Sequence, residues 1–289
     1  MKLTNQARLA WLEFLGNQAN HGHLNRQMSG ADIEAHVQAC WNSSLATAKR
    51  VQFELPDITP KRILEIGSST GLNCFALQHI YPSAEVIGIE PEQEAVKTAT
   101  SLIEASTANQ PTFLVGFGED IPLESSTFDL IICHTVIEHV ANVGKVISEA
   151  SRLLSKTGIL HLEAPNYIWP HEPHLNIWTI PLLGKGFVGM TAKLLGKAEQ
   201  VEFLEHLKFV TPFRLEHHFR ASGLKWENRV QRKFLDLVDN SNSIDIKRYR
   251  MAAVFIGWLG KLRIGTAVAG LLVRAGLYPS VMYTLQKEH

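Results

Sequence analysis

Residues 62–77, RILEIGSSTGLNCFAL, end an apolar run in Glu65 and turn through Gly67, Ser68, Ser69 and Gly71 before a helix-like pattern begins. A glycine removes the Cβ where a ligand must touch backbone, and a second lets a helix start close against its strand. The spacing is neither the G-x-G-x-x-G of a dinucleotide site nor the Gly-Lys-Ser/Thr of a phosphate loop. An ordinary strand-to-helix turn is the alternative for this motif alone. Glu90 follows 19 residues after Gly71, in VIGIEPE. An acid at the tip of a second strand is placed to accept both hydroxyls of a nucleoside ribose, although a solvated strand-end glutamate has the same sequence.

A second constellation lies in PNYIWPHEPHLNIW, residues 165–178. It holds His171, Glu172 and His174 among Tyr167, Trp169 and Trp178. Imidazole titrates near neutrality, so either histidine could act as a base or bind a substrate, with Glu172 and the aromatics walling the acceptor. Structural histidines are the alternative. As a metal site, H-x-x-H with Glu172 lacks a third ligand at a telling spacing, and Pro173 disfavours a regular helix, so no metal is expected. His139, in IEHV, reads as a structural or pocket residue; His206, His217 and His218 have weaker claims.

Positioning these groups needs strands and helices in alternation, and the sequence supplies them. Apolar strands RILEIG, EVIGIE, PTFLVG, FDLIICH and ILHLEAP alternate with helical stretches, which implies βαβ units, a parallel sheet and a common edge for the loops that follow the strands. Residues 1–55 read as a helical N-terminal cover, and residues 56–166 as the nucleoside-binding core. Residues 167–210 read as a substrate-side insert. Residues 211–289 complete the sheet, with a helical insert at 236–278 and a last antiparallel strand, PSVMYTLQKEH. In that insert, Lys247, Arg250 and Lys261 fall within about 60° of arc if they share a helix. Buried packing, a lid, a homodimer contact and peripheral membrane contact through residues 246–276 all fit it.

At 289 residues the chain can bury a full core, and 45% hydrophobic with 19% charged residues reads as globular rather than disordered. The formal net charge of +0 hides an asymmetry: residues 1–178 carry 11 Lys+Arg against 19 Asp+Glu, and residues 179–289 carry 17 against 9. The basic third suggests an anionic partner or a solvated basic surface. Cys40, Cys74 and Cys133 have no C-x-x-C spacing, which fits a reducing, cytoplasmic compartment. Neither a signal-peptide core nor a spanning apolar run is expected. The basic residues are not interleaved with an RNA-reading motif, so nucleic acid is a poor candidate partner.

Four motifs in order give the chain a family resemblance. LEIGSSTG, the acid Glu90, GEDIPLESSTFDLIICHTVIEHV and LLSKTGILHLEAPNY resemble the class I S-adenosylmethionine (SAM)-dependent methyltransferases over roughly residues 62–166. The likeness is to the small-molecule, ubiquinone-biosynthesis-like or type 11 branch. It implies a Rossmann-like, doubly wound α/β fold with a seven-stranded, mostly parallel sheet and two inserts on the active-site edge. Carried over by position, Gly67, Ser68, Ser69 and Gly71 approach the methionine part of SAM, and Glu65 helps bind its amino group. Glu90 holds the ribose, with Pro91 beside the adenine. Gly118, Glu119 and Asp120 meet the adenine edge, and His134 lines the pocket near the methyl group. Two residues depart from the family pattern. Phe117 replaces an aspartate that accepts from adenine. Ser69 replaces a glycine, which predicts a backbone course open to L-residues there, with Gly67 and Gly71 making the close approach. The implied reaction is methylation of a small or lipid-like acceptor, on oxygen, releasing S-adenosylhomocysteine (SAH). N- or C-methylation and a SAM-fold binding protein without turnover are the alternatives.

Overall fold

The computed structural model describes residues 3–20, 30–55, 57–103, 109–181, 183–232 and 265–288. Two helices, α1 (Asn5–Asn20) and α2 (Gly30–Glu54), precede β1 (Arg62–Ile66), α3 (Leu72–Ile80), β2 (Glu85–Glu90), α4 (Gln93–Ser101), β3 (Thr112–Val115), β4 (Phe128–His134), α5 (Val143–Leu153) and β5 (Leu154–Pro165). The insert follows, with a hairpin of β6 (His171–Glu172) and β7 (Ile177–Trp178) and helices α6 (Gly184–Leu194) and α7 (Phe203–His206). The chain then forms α8 (Pro212–Ala221), β8 (Leu224–Asn228), α9 (Gly265–Ala275) and β9 (Ser280–Lys287).

The sheet has seven strands in the order β3-β2-β1-β4-β5-β9-β8. β1 to β5 pair in parallel, and β9 enters antiparallel between β5 and β8. This is the architecture the motif order implies. Strand side chains alternate between faces, so one strand serves two cores. Ile63, Val86, Leu130 and Ile132 pack with Ala48 and Val51 of α2 and Cys74 and Leu77 of α3. Leu64, Ile66, Ile87, Ile89 and Ile131 pack on the other face with Val146, Ile147 and Ala150 of α5 and Leu215 and Phe219 of α8.

Helix α5 starts where Asn142 accepts the Lys145 N–H, and it buries Val146, Ile147, Ala150 and Leu153, one stripe at helical spacing. Helix α8 starts with Pro212 after Thr211, whose hydroxyl accepts the Arg214 N–H. β8 is shorter than its apolar pattern suggests because the Asn228 side chain accepts the Val230 N–H and turns the chain.

The insert at 167–210 carries a core of its own, in which Leu175 and Ile177 of the hairpin meet Val188, Ala192, Leu204 and Leu207. The Lys247, Arg250 and Lys261 stripe lies outside the described residues. Among those described, no helix is long and apolar enough to cross a membrane. Strand order reverses between β1 and β4, and such a switch point opens a crevice at the strand C-termini.

Candidate active site

The turn after β1 is built on left-handed backbone. Gly67 and Gly71 have φ of 75° and 77°, and a Cβ would meet Val136 Cγ2 at 2.2 Å from Gly67 and the Phe113 ring at 2.5 Å from Gly71. These glycines are therefore required by packing as well as by conformation. Ser69 also takes positive φ, 46°, the small left-handed region that L-residues enter at a cost of roughly 1–2 kcal/mol. The serine thus does not avoid positive φ. Its N–H donates to Glu90 Oε2 at 2.9 Å, while Glu90 Oε1 accepts the Glu92 N–H at 3.0 Å. The acid at the tip of β2 clasps the turn that follows β1. Burial raises the Glu90 carboxyl, and the two backbone donors pull it back down.

Beside this turn lies a cleft of about 720 Å³, lined by Gly67, Ser69, Glu90, Pro91, Gly118, Glu119 and His134 of the expected cofactor residues. Phe117, Val136 and His139 also border it. Four expected residues stand behind the lining. Glu65 lies buried beneath the turn, where its carboxylate accepts from Asn73 Nδ2 at 2.6 Å and Cys74 Sγ at 2.9 Å. Burial pushes this carboxyl up to about 7 against those two donors. Ser68 is buried against Gly88, and its hydroxyl meets no partner among the described residues. Gly71 starts α3 against Phe113, and the Asp120 N–H closes back on the Phe117 carbonyl at 3.2 Å. Glu119 accepts the Asn142 N–H at 3.0 Å and so ties the loop at residues 117–120 to the start of α5.

His134, at the end of β4, begins a polar chain that runs under the cleft. Its Nε2 lies 2.8 Å from His161 Nδ1, and His161 Nε2 lies 2.8 Å from Glu54 Oε2 at the end of α2. His161 is fully buried. Burial raises the Glu54 carboxyl, but the His161 hydrogen bond and the Arg50 guanidinium outweigh it and hold the group below its ordinary value. Sequence reasoning missed His161 and Glu54. The one available signal was a histidine on the buried face of ILHLEAP, and its partner is 107 residues away.

The two candidate catalytic histidines separate. His171 Nε2 meets Asn176 Oδ1 at 3.1 Å and its ring packs on Trp178, which is 60% exposed; neither borders the cofactor cleft. His174 turns inward: Nδ1 lies 2.7 Å from Glu172 Oε1, and Glu172 Oε2 accepts the Leu175 N–H. Glu172 is 1% exposed and orients His174, while also bordering a second cavity. Tyr167 stacks on Phe209 with centroids 4.1 Å apart and, with Trp169, His171 and Glu172, borders this cavity of about 310 Å³ between the insert and the start of α8. The ring of His174 also meets that of His139, at 5.2 Å and 90°.

Beside them stands a residue that the sequence reading passed over. Glu138 is fully buried, and neither carboxylate oxygen meets a donor from another of the described residues. Burial pushes its carboxyl up to about 7, partly offset by its own backbone N–H and then by His174. One ligand atom each from Glu138, His139 and His174 lie within 4.8 Å of one another. The signal was adjacent to His139 in IEHV, but the third member comes from the insert.

Comparison with known proteins agrees with this geometry. Residues 64–162 match the family described as a methyltransferase domain. An uncharacterised methyltransferase of Bacillus subtilis, YcgJ, is 29% identical over 115 residues, covering 40% of this chain and 44% of that protein. A ubiquinone biosynthesis O-methyltransferase of Rhodopseudomonas palustris is 29% identical over 165 residues, 56% of this chain and 58% of its own. The chain thus spans about half the length of the relatives it matches. Among solved structures, Haemonchus contortus phosphoethanolamine N-methyltransferase 2, in complex with phosphomonomethylethanolamine and SAH, superposes with a TM-score of 0.52 at 16% identity. The superposition covers 86% of this chain and 53% of that one, and at this identity the likeness concerns the fold. Sheet order, loop conformation and sequence match point the same way: residues 64–162 are similar to the methyltransferase domain family and lie on a sheet of the order that the motifs imply.

Proposed function

We propose that the protein transfers the methyl group of SAM to an oxygen of a small or lipid-like acceptor. The observation that carries this reading is the cleft itself, with a left-handed glycine turn and a strand-tip acid on one side and His134 and His139 on the other. The residues present fit SAM. The backbone at Gly67 and Ser69 can approach a methionine moiety, Glu90 can accept from ribose hydroxyls, and Pro91, Phe117 and Gly118 offer an adenine slot. When bound, SAM supplies a methyl carbon activated by its sulfonium. The chain must then align the acceptor, exclude water and accept a proton if the acceptor is a hydroxyl.

His134 suits that last task better than His171, which borders the separate cavity at the insert and not the cleft. With Glu54 ionised, His161 donates Nε2–H to it and offers Nδ1 to the Nε2–H of His134, so the acceptor nitrogen of His134 is Nδ1. His174 remains at the acceptor side through His139. The name of the R. palustris relative supports oxygen as the methylated atom.

Calorimetry with SAM and SAH tests the donor, and label transfer from methyl-labelled SAM to hydroxylated aromatics or to amines tests the atom. Absence of binding below millimolar overturns the reading, and transfer to amines alone corrects it. His134→Gln is expected to keep SAH affinity within a few-fold and to lower kcat by about 10²–10⁴. An unchanged kcat removes it as the base.

A further inference from the structure

We propose that Glu138, His139 and His174 form a site for a divalent first-row transition metal at the acceptor end of the cleft. Their ligand atoms lie within 4.8 Å of one another; ligands of one ion at about 2 Å stand no more than ~4 Å apart, so small rotations of the two exposed imidazoles would close the set around an ion. The Glu138 carboxylate is the strongest argument. A carboxyl with no exposure and no hydrogen-bond donor from another described residue is only partly compensated, by its own backbone N–H and by the imidazoles of His174 and His139, the latter with Nε2 3.8 Å from Oε1. A cation between them would complete the compensation.

The second argument is the orientation of His174. Glu172, itself 1% exposed, takes Nδ1–H at 2.7 Å and is held by the Leu175 N–H. That hydrogen bond makes Nε2 the lone-pair nitrogen, the outer arrangement that metal-bound histidines show. Two imidazoles and one carboxylate leave coordination positions open and suit zinc, iron or cobalt better than magnesium, which prefers oxygen ligands. The site faces the cleft through His139, which lines it. This role rests on the methyl-transfer reading: an acceptor hydroxyl would complete the coordination and lose its proton more readily there, so the acceptor class is an oxygen nucleophile able to bind a metal.

The test measures metal alone, with neither SAM nor acceptor present, so its failure is distinct from failure of the methyltransferase reading. Chelator-treated protein is titrated with Co²⁺, followed by visible absorption, and with Zn²⁺ by equilibrium dialysis. One equivalent is expected to bind with a tetrahedral or five-coordinate cobalt spectrum. Glu138→Gln and His174→Ala should each weaken binding at least tenfold, and Glu172→Gln by about 10–100-fold. His171→Ala should leave it unchanged. Circular dichroism checks that each variant is folded, and His139→Ala, at a half-exposed position, provides a variant of low folding risk. Wild type that binds no more metal than the Glu138→Gln, His139→Ala, His174→Ala triple variant overturns the site, as does equal loss on His171→Ala.

Discussion

At the scale of single residues, the glycine turn and its acid shape the cleft proposed to hold the cofactor. Gly71→Ala places a methyl 2.5 Å from the Phe113 ring and 2.8 Å from Ala99 Cβ at a φ of 77°. It should cost about 2–4 kcal/mol in urea unfolding, from strain and overpacking together. Glu90→Ala removes the acceptor of two backbone N–H groups as well as the proposed ribose partner, and calorimetry should show SAH binding at least tenfold weaker. Glu65 gives a pH signature. Its carboxyl rises in the fold from an ordinary 4.5 to about 7, burial being the main cause. The folded state therefore holds an extra proton between those values, and stability falls as pH rises through that window before levelling off. The total is about 3 kcal/mol, and urea unfolding of Glu65→Gln should lack this slope. A wild-type profile flat from pH 5 to 8 would contradict it.

At the scale of elements, α2 does more than cover the sheet. Its last turn reaches β5 through Glu54 to His161, and Arg50 joins Glu163 at 2.6 Å. The helix thereby sets the proton positions of His134, whose own strand is β4. Glu54→Gln should cost about 1–3 kcal/mol at neutral pH by weakening a buried charge-assisted hydrogen bond. The sign is the reverse of that for Glu65. Because the fold lowers the Glu54 carboxyl, its stabilisation is present above the ordinary value and is lost as pH falls through the lowered one. The gap between wild type and variant should therefore shrink in acid, which chemical unfolding at pH 7 and below 4 would show. The hairpin β6–β7 acts similarly for His174, with Glu172 as the fixed point.

Across the whole molecule, the cleft is walled by residues from the ends of β1, β2 and β4 and the start of α5. Ligand binding there should stabilise the entire sheet. SAH at 100 times its dissociation constant should add about 2.7 kcal/mol in thermal or urea unfolding, and less in Glu90→Ala at the same concentration. Stabilisation confined to a local probe, with no shift in global unfolding, would separate the cleft from the cooperative unit.

The chain's local patterns determined the sheet, because strand and helix periodicities and βα turns are short-range properties. Gly67, Gly71 and Glu90 were legible for the same reason: each sits at a fixed offset from a strand end. Ser69 was half legible. Its presence was plain, but its left-handed backbone came from the Glu90 carboxylate, 21 residues away, that holds its N–H. The histidines were not separable by sequence. His171 and His174 look equivalent in H-x-x-H, and only the hairpin turns one toward Asn176 and the other toward Glu172 and His139. Likewise Glu138, His161 and Glu54 carry no local mark. What makes each chemically distinctive is burial against partners from other elements, and the folding of the two sheet faces and the insert decides those neighbours.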